Sequence, residues 1–460
     1  MPNTTAGNVA RLVRNIALGA EFVMSHITHF YHLAALSYVQ GPNMAPWTPY
    51  FDDSYYHALL QKPAGRNLPT GTDVWDKVIA DYVVALGMRR VALDVAAMFT
   101  GRTPMEMNLV IGGTGYVVDT RQIDKAKTKL NEIKSFIENN YIPLVAIVGG
   151  VLYPEYFSIG QGYGNLLAWG VFPEDNEEGE PLEKGQNRLL KRGYRLSTGV
   201  TGIPDPDAQV FEHIKNSRYD DDPTKTIHKN TGGLQPKEGY TNPNYESGYS
   251  WAKAPRLNVD GTDYPMEVGP LARMVVNGDY VIGSTVAVRA NHAILGDYGT
   301  VIWTAGISVM DRHAARALEA LKIITRMTES DGWLDQLAAY GNGATGYTSW
   351  TMPSGTVLGY GAHEAPRGAL AHWIEITGGK ISNYQCVVPT TWNASPRDAN
   401  GVAGPIEEAL VGTRLSGVQS SGKDVPVEAL RVIQSFDPCI ACTVHVVDAK
   451  GRKLSGKEVR

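Results

Sequence analysis

The sequence predicts a mainly α fold of the α+β class, in which one large helical-bundle domain carries small β elements. Long stretches repeat apolar residues every three or four positions, as an amphipathic helix requires. Strand-like stretches are short and scattered. The 460-residue chain is 43% hydrophobic, which is enough for a large core. Because its composition does not shift along its length, we expect a single domain over residues 1–460.

Four stretches predict the helices of this bundle: 8–39, 74–99, 121–140 and 309–337. In the first stretch, one apolar stripe is formed by Leu12, Ile16, Ala20 and Val23. In the third, isoleucine and leucine side chains share one face and lysines the other, so this helix has a buried and a solvated side. These helices are the expected body of the fold.

The β elements are predicted at 108–112, at 384–388 and in a hairpin between 443 and 454. The polar stretch 216–250 is rich in glycine and asparagine and is expected to be an ordered surface excursion. Apolar periodicity resumes on both sides of it, so it does not mark a domain boundary.

Charge and composition exclude several kinds of partner. A formal net charge of -5, without a run of like charges, argues against nucleic acid and against an anionic membrane surface. No stretch reaches about 18 uninterrupted apolar residues, and the first residues lack the basic-then-apolar order of a secretory signal. If the protein is exported, something else must carry it. Three cysteines are too few to bind iron-sulfur clusters, so any electron relay must lie in a partner.

The most informative motif is Asp437-Pro-Cys-Ile-Ala-Cys442, followed by His445. Two thiols at C-x2-C spacing can point into one site, and soft thiolates select zinc, copper(I), iron or nickel. A structural zinc site would have to recruit distant histidines, because the only other cysteine is Cys386. A c-type haem requires histidine directly after the second cysteine, and a thioredoxin-like dithiol lies inside a βαβ unit. Neither of the last two patterns is present.

The motif resembles the C-terminal signature of nickel-iron hydrogenase large subunits, D-P-C-x2-C-x2-H. Further stretches are similar to the same family in the same order along the chain: 12–16, 29–33, 249–256, 266–273, 364–370, 384–393 and 395–398. The similarity runs from about residue 10 to the end, and it implies the fold of that large subunit. The segment 446–460 resembles the C-terminal peptide that a maturation protease removes in this family.

The resemblance implies the roles of the central residues. Cys439 should be a terminal thiolate of nickel, and Cys442 a thiolate that bridges nickel to an iron carrying cyanide and carbon monoxide. Arg367 resembles the arginine held over the open position of the metal, where it helps to split hydrogen as a base or by electrostatic orientation. Asp437 should pair with this arginine and hold it.

The resemblance also implies a set of residues around the metal centre. Thr390 matches the hydroxyl residue that donates a hydrogen bond to an iron cyanide, and a dry wall around the diatomic ligands should be formed by Pro366, Leu370 and Pro389. His445 and the backbone carbonyl of Cys386 resemble two contacts to a magnesium or similar ion near the C-terminus. The Cys386 thiol is then incidental.

Two other features do not predict a site. His26, His29 and His32 lie three apart, but positions 26 and 32 are about 600 degrees apart around a helix, so the three side chains should not converge. Gly112-Gly113-Thr-Gly is too short for a dinucleotide-binding loop.

The sequence departs from the family pattern in three places. Relatives begin with an acidic residue used in proton transfer and an R-x-C-x2-C segment, and we find no such segment here. Three explanations stay open: a separate short polypeptide, an incomplete gene product or a degenerate site. Ser25 stands where many relatives have the aspartate of a His-Asp-His run. Met105 replaces a common histidine that has a proton or electron-gating role in relatives.

The resemblance implies oxidation of H2 to two protons and two electrons, with electrons leaving through an iron-sulfur small subunit. Similarity to the respiratory uptake branch implies co-export to the periplasm or the outer face of the cell membrane, with delivery to a membrane cytochrome or quinone-reactive subunit; the alternative location is cytoplasmic. The rival hypothesis is a metal-free scaffold or electron-transfer subunit related to respiratory complex I, or an inactive fragment. Retention of Cys439, Cys442 and Arg367 favours the enzyme.

Overall fold

The computed structural model describes residues 4–38, 72–175, 186–220, 233–238, 242–413, 427–439, 446–447 and 453–455. Within them the α-helices are α1 (Thr5–Thr28), α2 (Thr72–Thr100), α3 (Thr120–Phe136), α4 (Ile142–Ala146), α5 (Pro206–Gln209), α6 (Pro270–Asn277), α7 (Val309–Thr328), α8 (Trp333–Ala338), α9 (Pro389–Asn393), α10 (Pro405–Leu410) and α11 (Val427–Ser435). Short π or 3-10 segments are His29–Ala34, Ala35–Ser37, Ile137–Tyr141, Ile147–Leu152, Pro154–Phe157 and Pro236–Glu238.

The strands of the described residues are β1 (Leu109–Val110), β2 (Gly113–Val117), β3 (Leu166–Ala168), β4 (Val171–Pro173), β5 (Arg188–Leu190), β6 (Gly193–Arg195), β7 (Thr201–Gly202), β8 (Val210–His213), β9 (Tyr219–Asp220), β10 (Asn242–Pro243), β11 (Ala254–Val259), β12 (Thr262–Tyr264), β13 (Glu267–Val268), β14 (Thr285–His292), β15 (Gly296–Thr304), β16 (Thr345–Tyr347), β17 (Thr356–Ala365), β18 (Gly368–Thr377), β19 (Lys380–Val387), β20 (Val446–Val447) and β21 (Lys453–Ser455).

The large hydrophobic core lies between the long helices. Helix α1 packs against α2 and α7, and it buries Leu12, Ile16 and Val23 completely. Gly19 permits the close approach of α1 to α7, because a Cβ atom there would lie 2.9 Å from Met327 Sδ. The apolar stripe predicted for this helix is therefore its packing face.

Two predicted helices have different limits in the structure. The stretch 8–39 is α-helical only to Thr28 and continues as π and 3-10 turns to Ser37. The stretch 309–337 is two helices, because α7 ends at Thr328 and the chain turns through Asp331, whose φ is 59°. Gly332 is required at this turn, since a Cβ atom there would lie 2.6 Å from Arg326 O.

Helix α3 continues beyond the predicted stretch 121–140. Together with the π turns and α4 it forms one helical run, Thr120–Leu152, which is long and apolar enough to cross a membrane by length and composition alone. Its most apolar window is 67% buried inside the protein. This run therefore has the burial of a core helix.

The β structure is more extensive than the predicted small elements, so the chain is a mixture of helices and sheets. Strands β17, β18 and β19 form one antiparallel sheet, of which the predicted strand 384–388 is the last part. The buried side chains of this sheet join a second core that includes Trp169, Trp373 and Trp392. Of the predicted C-terminal hairpin, Val446–Val447 pairs with Lys453–Ser455, and its remainder lies outside the described residues.

Candidate active site

Arg367 lies at the tip of a β-hairpin. Ala365 of β17 pairs with Gly368 of β18, so Pro366 and Arg367 form the two-residue turn. Gly368 has φ 136°, and a Cβ atom there would lie 2.6 Å from Val268 Cγ2. Only glycine allows the turn to pack this closely against the residues before α6. The Arg367 side chain is one-third exposed.

Asp437 follows the end of α11 and is almost completely buried. Its φ is 53°, a left-handed conformation that aspartate tolerates better than most residues. The preceding turn is held from α7, where Arg316 donates a hydrogen bond to Ser435 O (3.0 Å) and the Arg312 guanidinium lies 3.7 Å from the centre of the Phe436 ring. The carboxylate therefore has a defined position.

Arg367 and Asp437 form an ion pair across 70 positions of sequence. The Arg367 Nε and Asp437 Oδ1 atoms are 3.1 Å apart, although neither atom has hydrogen-bond geometry with any described residue. Burial lowers the pKa of Arg316, and the Asp437 carboxylate opposes this shift. The carboxylate thus lies in the field of a buried arginine as well as beside Arg367.

Cys439 and Thr390 meet beside this ion pair. The Cys439 backbone N–H donates a hydrogen bond of 3.1 Å to Thr390 Oγ1, which lies in the short helix α9. The Cys439 thiol is free and exposed. Cys439 is two residues from Asp437, so one segment carries both a thiol and the carboxylate that pairs with Arg367, and it is tied to α9 through Thr390.

The three histidines of the first helical stretch point to separate partners. His26 Nε2 lies 2.7 Å from Glu319 Oε2, His29 Nε2 lies 2.7 Å from Gln434 O, and His32 Nε2 lies 3.2 Å from Tyr82 O. No group of three or more metal-binding side chains was found in the described part of the chain. The prediction that these histidines do not converge is confirmed.

A buried charge network lies behind the arginine turn. Arg273 is completely buried and contacts Glu319 through both carboxylate oxygens at 2.7 Å. It also donates to Glu364 Oε2 (2.8 Å), and the other Glu364 oxygen accepts from the Trp169 N–H. Arg273 further donates to the carbonyl oxygens of Ala365 (3.0 Å) and Pro366 (2.8 Å), which belong to the turn that carries Arg367.

The carboxyl groups of this network have opposite pKa shifts. Burial raises the pKa of Glu364 to about 7, although Arg273 and the Trp169 N–H oppose the shift. Burial also disfavours the charged form of Glu319, but Arg273 and His26 outweigh it and lower the pKa of Glu319 to about 2. Burial lowers the pKa of His26. At neutral pH the network therefore holds Arg273 against an ionised Glu319, while Glu364 is close to its midpoint.

Comparison with known proteins decides the family. A family model described as nickel-dependent hydrogenase matches residues 49–445. The chain belongs to this family. The periplasmic NiFeSe hydrogenase large subunit of Desulfomicrobium baculatum is 35% identical over 96% of this chain and 79% of its own length. An uptake hydrogenase large subunit of Rhizobium leguminosarum bv. viciae is 31% identical over 98% of this chain and 83% of its own length.

Solved structures of hydrogenases share the fold. The crystal structure of a reduced, active form of the Ni-Fe-Se hydrogenase from Desulfomicrobium baculatum matches with a TM-score of 0.76 and 34% identity. The match covers 94% of this chain and 82% of that one. The structural similarity therefore extends over nearly the whole of the present chain.

The residues present fit the soft metal of this hydrogenase family. Cys439 supplies a free thiol, and thiolates are ligands that nickel and iron prefer over hard cations. The buried Asp437 oxygens receive no hydrogen bond from a described residue, which leaves this carboxylate available to the Arg367 guanidinium. Two predicted ligands, Cys442 and His445, lie outside the described residues.

The other residues predicted for the site lie in the arginine turn, in strands β18 and β19, and in helices α1 and α9. Pro366 is half-buried in the turn, Leu370 is half-buried in β18 opposite His363, and Pro389 is buried at the start of α9. Cys386 lies in β19 opposite His372, with an exposed free thiol. Ser25 is half-buried in α1, and Asp437 is the ion-pair partner of Arg367 within the described residues.

Sequence reasoning missed the Arg273 network of this hydrogenase. Arg273 and Glu364 lie inside the stretches that carry the family resemblance, but nothing in those stretches shows that the two side chains meet. A signal was present in α7, where Arg312, Arg316 and Glu319 recur at helical spacing on the face that also buries alanine and isoleucine. Charged residues on the same helix face as a stripe of apolar residues indicate buried ion pairs.

The raised pKa of Glu364 predicts a pH-dependent stability. Its folded-state pKa of about 7 exceeds the ordinary value of 4.5, so its contribution to folding is fully present below about pH 4.5 and is lost as the pH rises through 7. The wild-type chain should lose up to about 3 kcal/mol relative to Glu364→Gln over this range. Thermal unfolding of both chains between pH 4.5 and 8 measures the difference.

Glutamine has one side-chain oxygen, so it cannot accept hydrogen bonds from both Arg273 and Trp169 as the two Glu364 oxygens do. Glu364→Gln should therefore differ from the wild type in unfolding free energy by a constant amount at every pH. Only the part of this difference that changes with pH tests the raised pKa of Glu364. Glu246→Gln, on an exposed loop, is the matched control and should follow the wild type at every pH. A difference between wild type and Glu364→Gln that stays constant with pH would contradict the assignment.

Proposed function

We propose that this chain is the catalytic large subunit of an uptake-type hydrogenase that oxidises H2 heterolytically at a nickel-iron centre. The observation that carries the proposal is the pairing of Arg367 with Asp437 in the segment that also carries the free Cys439 thiol. The arginine is held 3.1 Å from a buried carboxylate, and that carboxylate lies two residues from a free thiol. The reaction releases two protons and passes two electrons to an iron-sulfur small subunit.

Cys439 and Cys442 would hold the nickel and the iron as thiolates. When bound, this centre supplies an open coordination position for H2 and oxidation states that accept its electrons. We propose that the remaining thiolates of the site are supplied by a separate polypeptide, since this sequence has three cysteines. A short polypeptide with C-x2-C would complete the set.

The residues of this chain orient the reaction. The Arg367 guanidinium is a positive charge paired with Asp437, and it would favour heterolytic separation of H2 into a proton and a hydride by electrostatic orientation. Asp437 keeps that charge in place. Arginine almost never loses its proton in water, so a base role for Arg367 would require strong desolvation.

Thr390 is suited to a second contact. Its oxygen accepts the Cys439 N–H, which leaves its own hydroxyl hydrogen free to donate. We assign that hydrogen to a cyanide ligand of iron. The side chains that exclude water from the other diatomic ligands are Pro366, Leu370 and Pro389.

The experiment that tests the function is the composition of the purified complex. It should contain about one nickel per chain, and its infrared spectrum should show cyanide and carbon monoxide bands. Zinc alone without such bands would rule the catalytic function out and favour a metal-free scaffold. The chain expressed by itself should carry little nickel, because two thiolates do not satisfy the site.

A magnesium or similar ion is proposed near the C-terminus, bound by His445 and the backbone carbonyl of Cys386. The segment 446–460 is proposed as a peptide that a maturation protease removes after the metals are installed. We expect an intact-mass measurement on active complex to show a chain that ends at His445. A mass that still includes Arg460 in active complex would contradict this.

The small subunit is proposed to bind an exposed apolar surface beside α1. Strands β1, β2 and β16 form one small sheet, which Arg14 of α1 anchors by donating to the carbonyl oxygens of Val110 and Gly113. The sheet and its adjoining loops expose Met105, Met107, Leu109, Val110, Ile111, Val117, Tyr347, Trp350 and Met352. An apolar surface of this extent is typical of a protein interface.

The periplasm or the outer face of the cell membrane is the proposed location, because a relative is named as periplasmic and others as uptake hydrogenases. Export would occur together with the small subunit, and electrons would pass to a membrane cytochrome or quinone-reactive subunit.

A further inference from the structure

Arg273 uses every hydrogen-bond donor that it has. Its five N–H groups contact Glu319 Oε1, Glu319 Oε2, Glu364 Oε2, Ala365 O and Pro366 O, at 2.7 to 3.0 Å. The last two acceptors are consecutive carbonyl groups that lead directly to Arg367. No described residue other than Arg273 donates a side-chain hydrogen bond to either carbonyl.

We propose that Arg273 is a positioning residue, which fixes the turn so that the Arg367 side chain meets Asp437. The inference rests on the proposed function for its catalytic consequence, but the fixing of the turn is a property of the chain itself. The Arg273 side chain forms no hydrogen bond or ion pair with Arg367, Asp437 or Cys439, and its partners are Glu319, Glu364 and two backbone carbonyl groups. It acts through the backbone of residues 365 and 366.

Two carboxyl groups, those of Glu319 and Glu364, fix the orientation of the Arg273 guanidinium group. Glu319 binds two of its nitrogens side by side, and His26 holds the same carboxylate at 2.7 Å. Glu364 belongs to β17, so it ties the guanidinium to the strand that leads into the turn. Helices α1 and α7 therefore specify, through one arginine, where the tip of a distant hairpin lies.

A lysine could not replace this arginine. The ammonium group has three donors instead of five and no planar fork, so it cannot bind Glu319 with two nitrogens and hold both turn carbonyls as well. The carbonyl groups of Ala365 and Pro366 would lose their buried hydrogen-bond donor. The backbone of the turn would then be more mobile, and Arg367 would be displaced. A misplacement of about 1 Å at a reacting group can cost a hundredfold in rate.

The test compares Arg273→Lys with Arg256→Lys in the full complex and in the isolated chain. Arg256 is the matched control, because it is equally buried, pairs with a carboxylate, Asp398, at 3.0 Å, and holds backbone carbonyls away from the turn. Hydrogen-deuterium exchange of the peptide covering 363–370 should accelerate at least about tenfold in Arg273→Lys and stay unchanged in Arg256→Lys. Unchanged exchange in Arg273→Lys would overturn the proposal, whether or not metals are bound.

The catalytic consequence is measured by a double-mutant cycle in metal-loaded complex. Arg273→Lys should lower hydrogen oxidation at least about tenfold alone but have little further effect in the Arg367→Lys background, because both changes act on one group. Equal fold losses in both backgrounds would show a general structural effect and overturn the assignment. If Arg273→Lys does not fold, Glu319→Gln enters the same cycle with the same expectation.

Failure of the proposed function is distinguishable from failure of this inference. Absence of nickel and of cyanide bands in the wild-type complex would contradict the proposed function. The exchange experiment decides the positioning of the turn independently of the metals.

Discussion

Cys439→Ser should abolish nickel retention and with it hydrogen oxidation. The free thiol of Cys439 belongs to a residue two positions after Asp437, and the Cys439 backbone N–H donates a hydrogen bond to Thr390. A serine keeps the size of the side chain and this backbone hydrogen bond, but its hard hydroxyl is a poor ligand for nickel. Metal analysis and the infrared bands of the purified complex measure the effect.

Cys386→Ser is the matched control for this substitution. Its thiol is also free and exposed, and only its backbone carbonyl belongs to the proposed magnesium contact, which serine retains. This variant should keep its nickel. If Cys439→Ser changed neither metal content nor activity, the proposed catalytic function would be wrong.

Arg367→Lys should lower hydrogen turnover by about two orders of magnitude while leaving folding and metal content nearly intact. The turn itself is held by Arg273 and by the close packing of Gly368, so it does not depend on the Arg367 side chain. Lysine can still pair with Asp437, but a flexible ammonium replaces a planar guanidinium over the reaction site. Hydrogen uptake per nickel is the measurement.

Arg326→Lys provides the control for general effects of arginine replacement. Arg326 is 23% exposed and pairs with Glu174 at 2.8 Å, so it resembles Arg367 in exposure and in having a carboxylate partner. Arg326 lies at the end of α7, away from the arginine turn. The hydrogen turnover of Arg326→Lys should match that of the wild type. Full hydrogen uptake by metal-loaded Arg367→Lys would show that Arg367 does not act at the reaction site.

The residues proposed for chemical roles could be named from the sequence because they lie in short continuous motifs. Asp437, Cys439 and Cys442 are neighbours in the chain, and Arg367 lies within a single stretch from 364 to 370. Likewise, the stripe of Leu12, Ile16 and Val23 predicted a helix, because a helical period is visible in local sequence. The family, its metal chemistry and the main helices could therefore be inferred from the sequence alone.

The β17–β18 hairpin was not predictable in the same way. Much of β17 is exposed, and glycines at 359 and 361 interrupt the alternation of apolar and polar residues that marks a half-buried strand. The break between α7 and α8 was also hidden, since apolar residues continue on both sides of Gly332. In both cases the distant packing partner, rather than the local pattern, decides the structure.

The sequence by itself predicted the reactive groups: a C-x2-C thiol pair, an aspartate before it and an arginine in the stretch 364–370. The pairing of Arg367 with Asp437 was also predicted, and the two side chains lie 3.1 Å apart. Only the tertiary structure decided how the arginine is held, by placing it on a hairpin turn whose carbonyl groups Arg273 binds. The physical reason is burial. Arg273, Glu319 and Glu364 are ordinary charged residues in the sequence, and the loss of water around them in the folded chain commits each one to a specific partner.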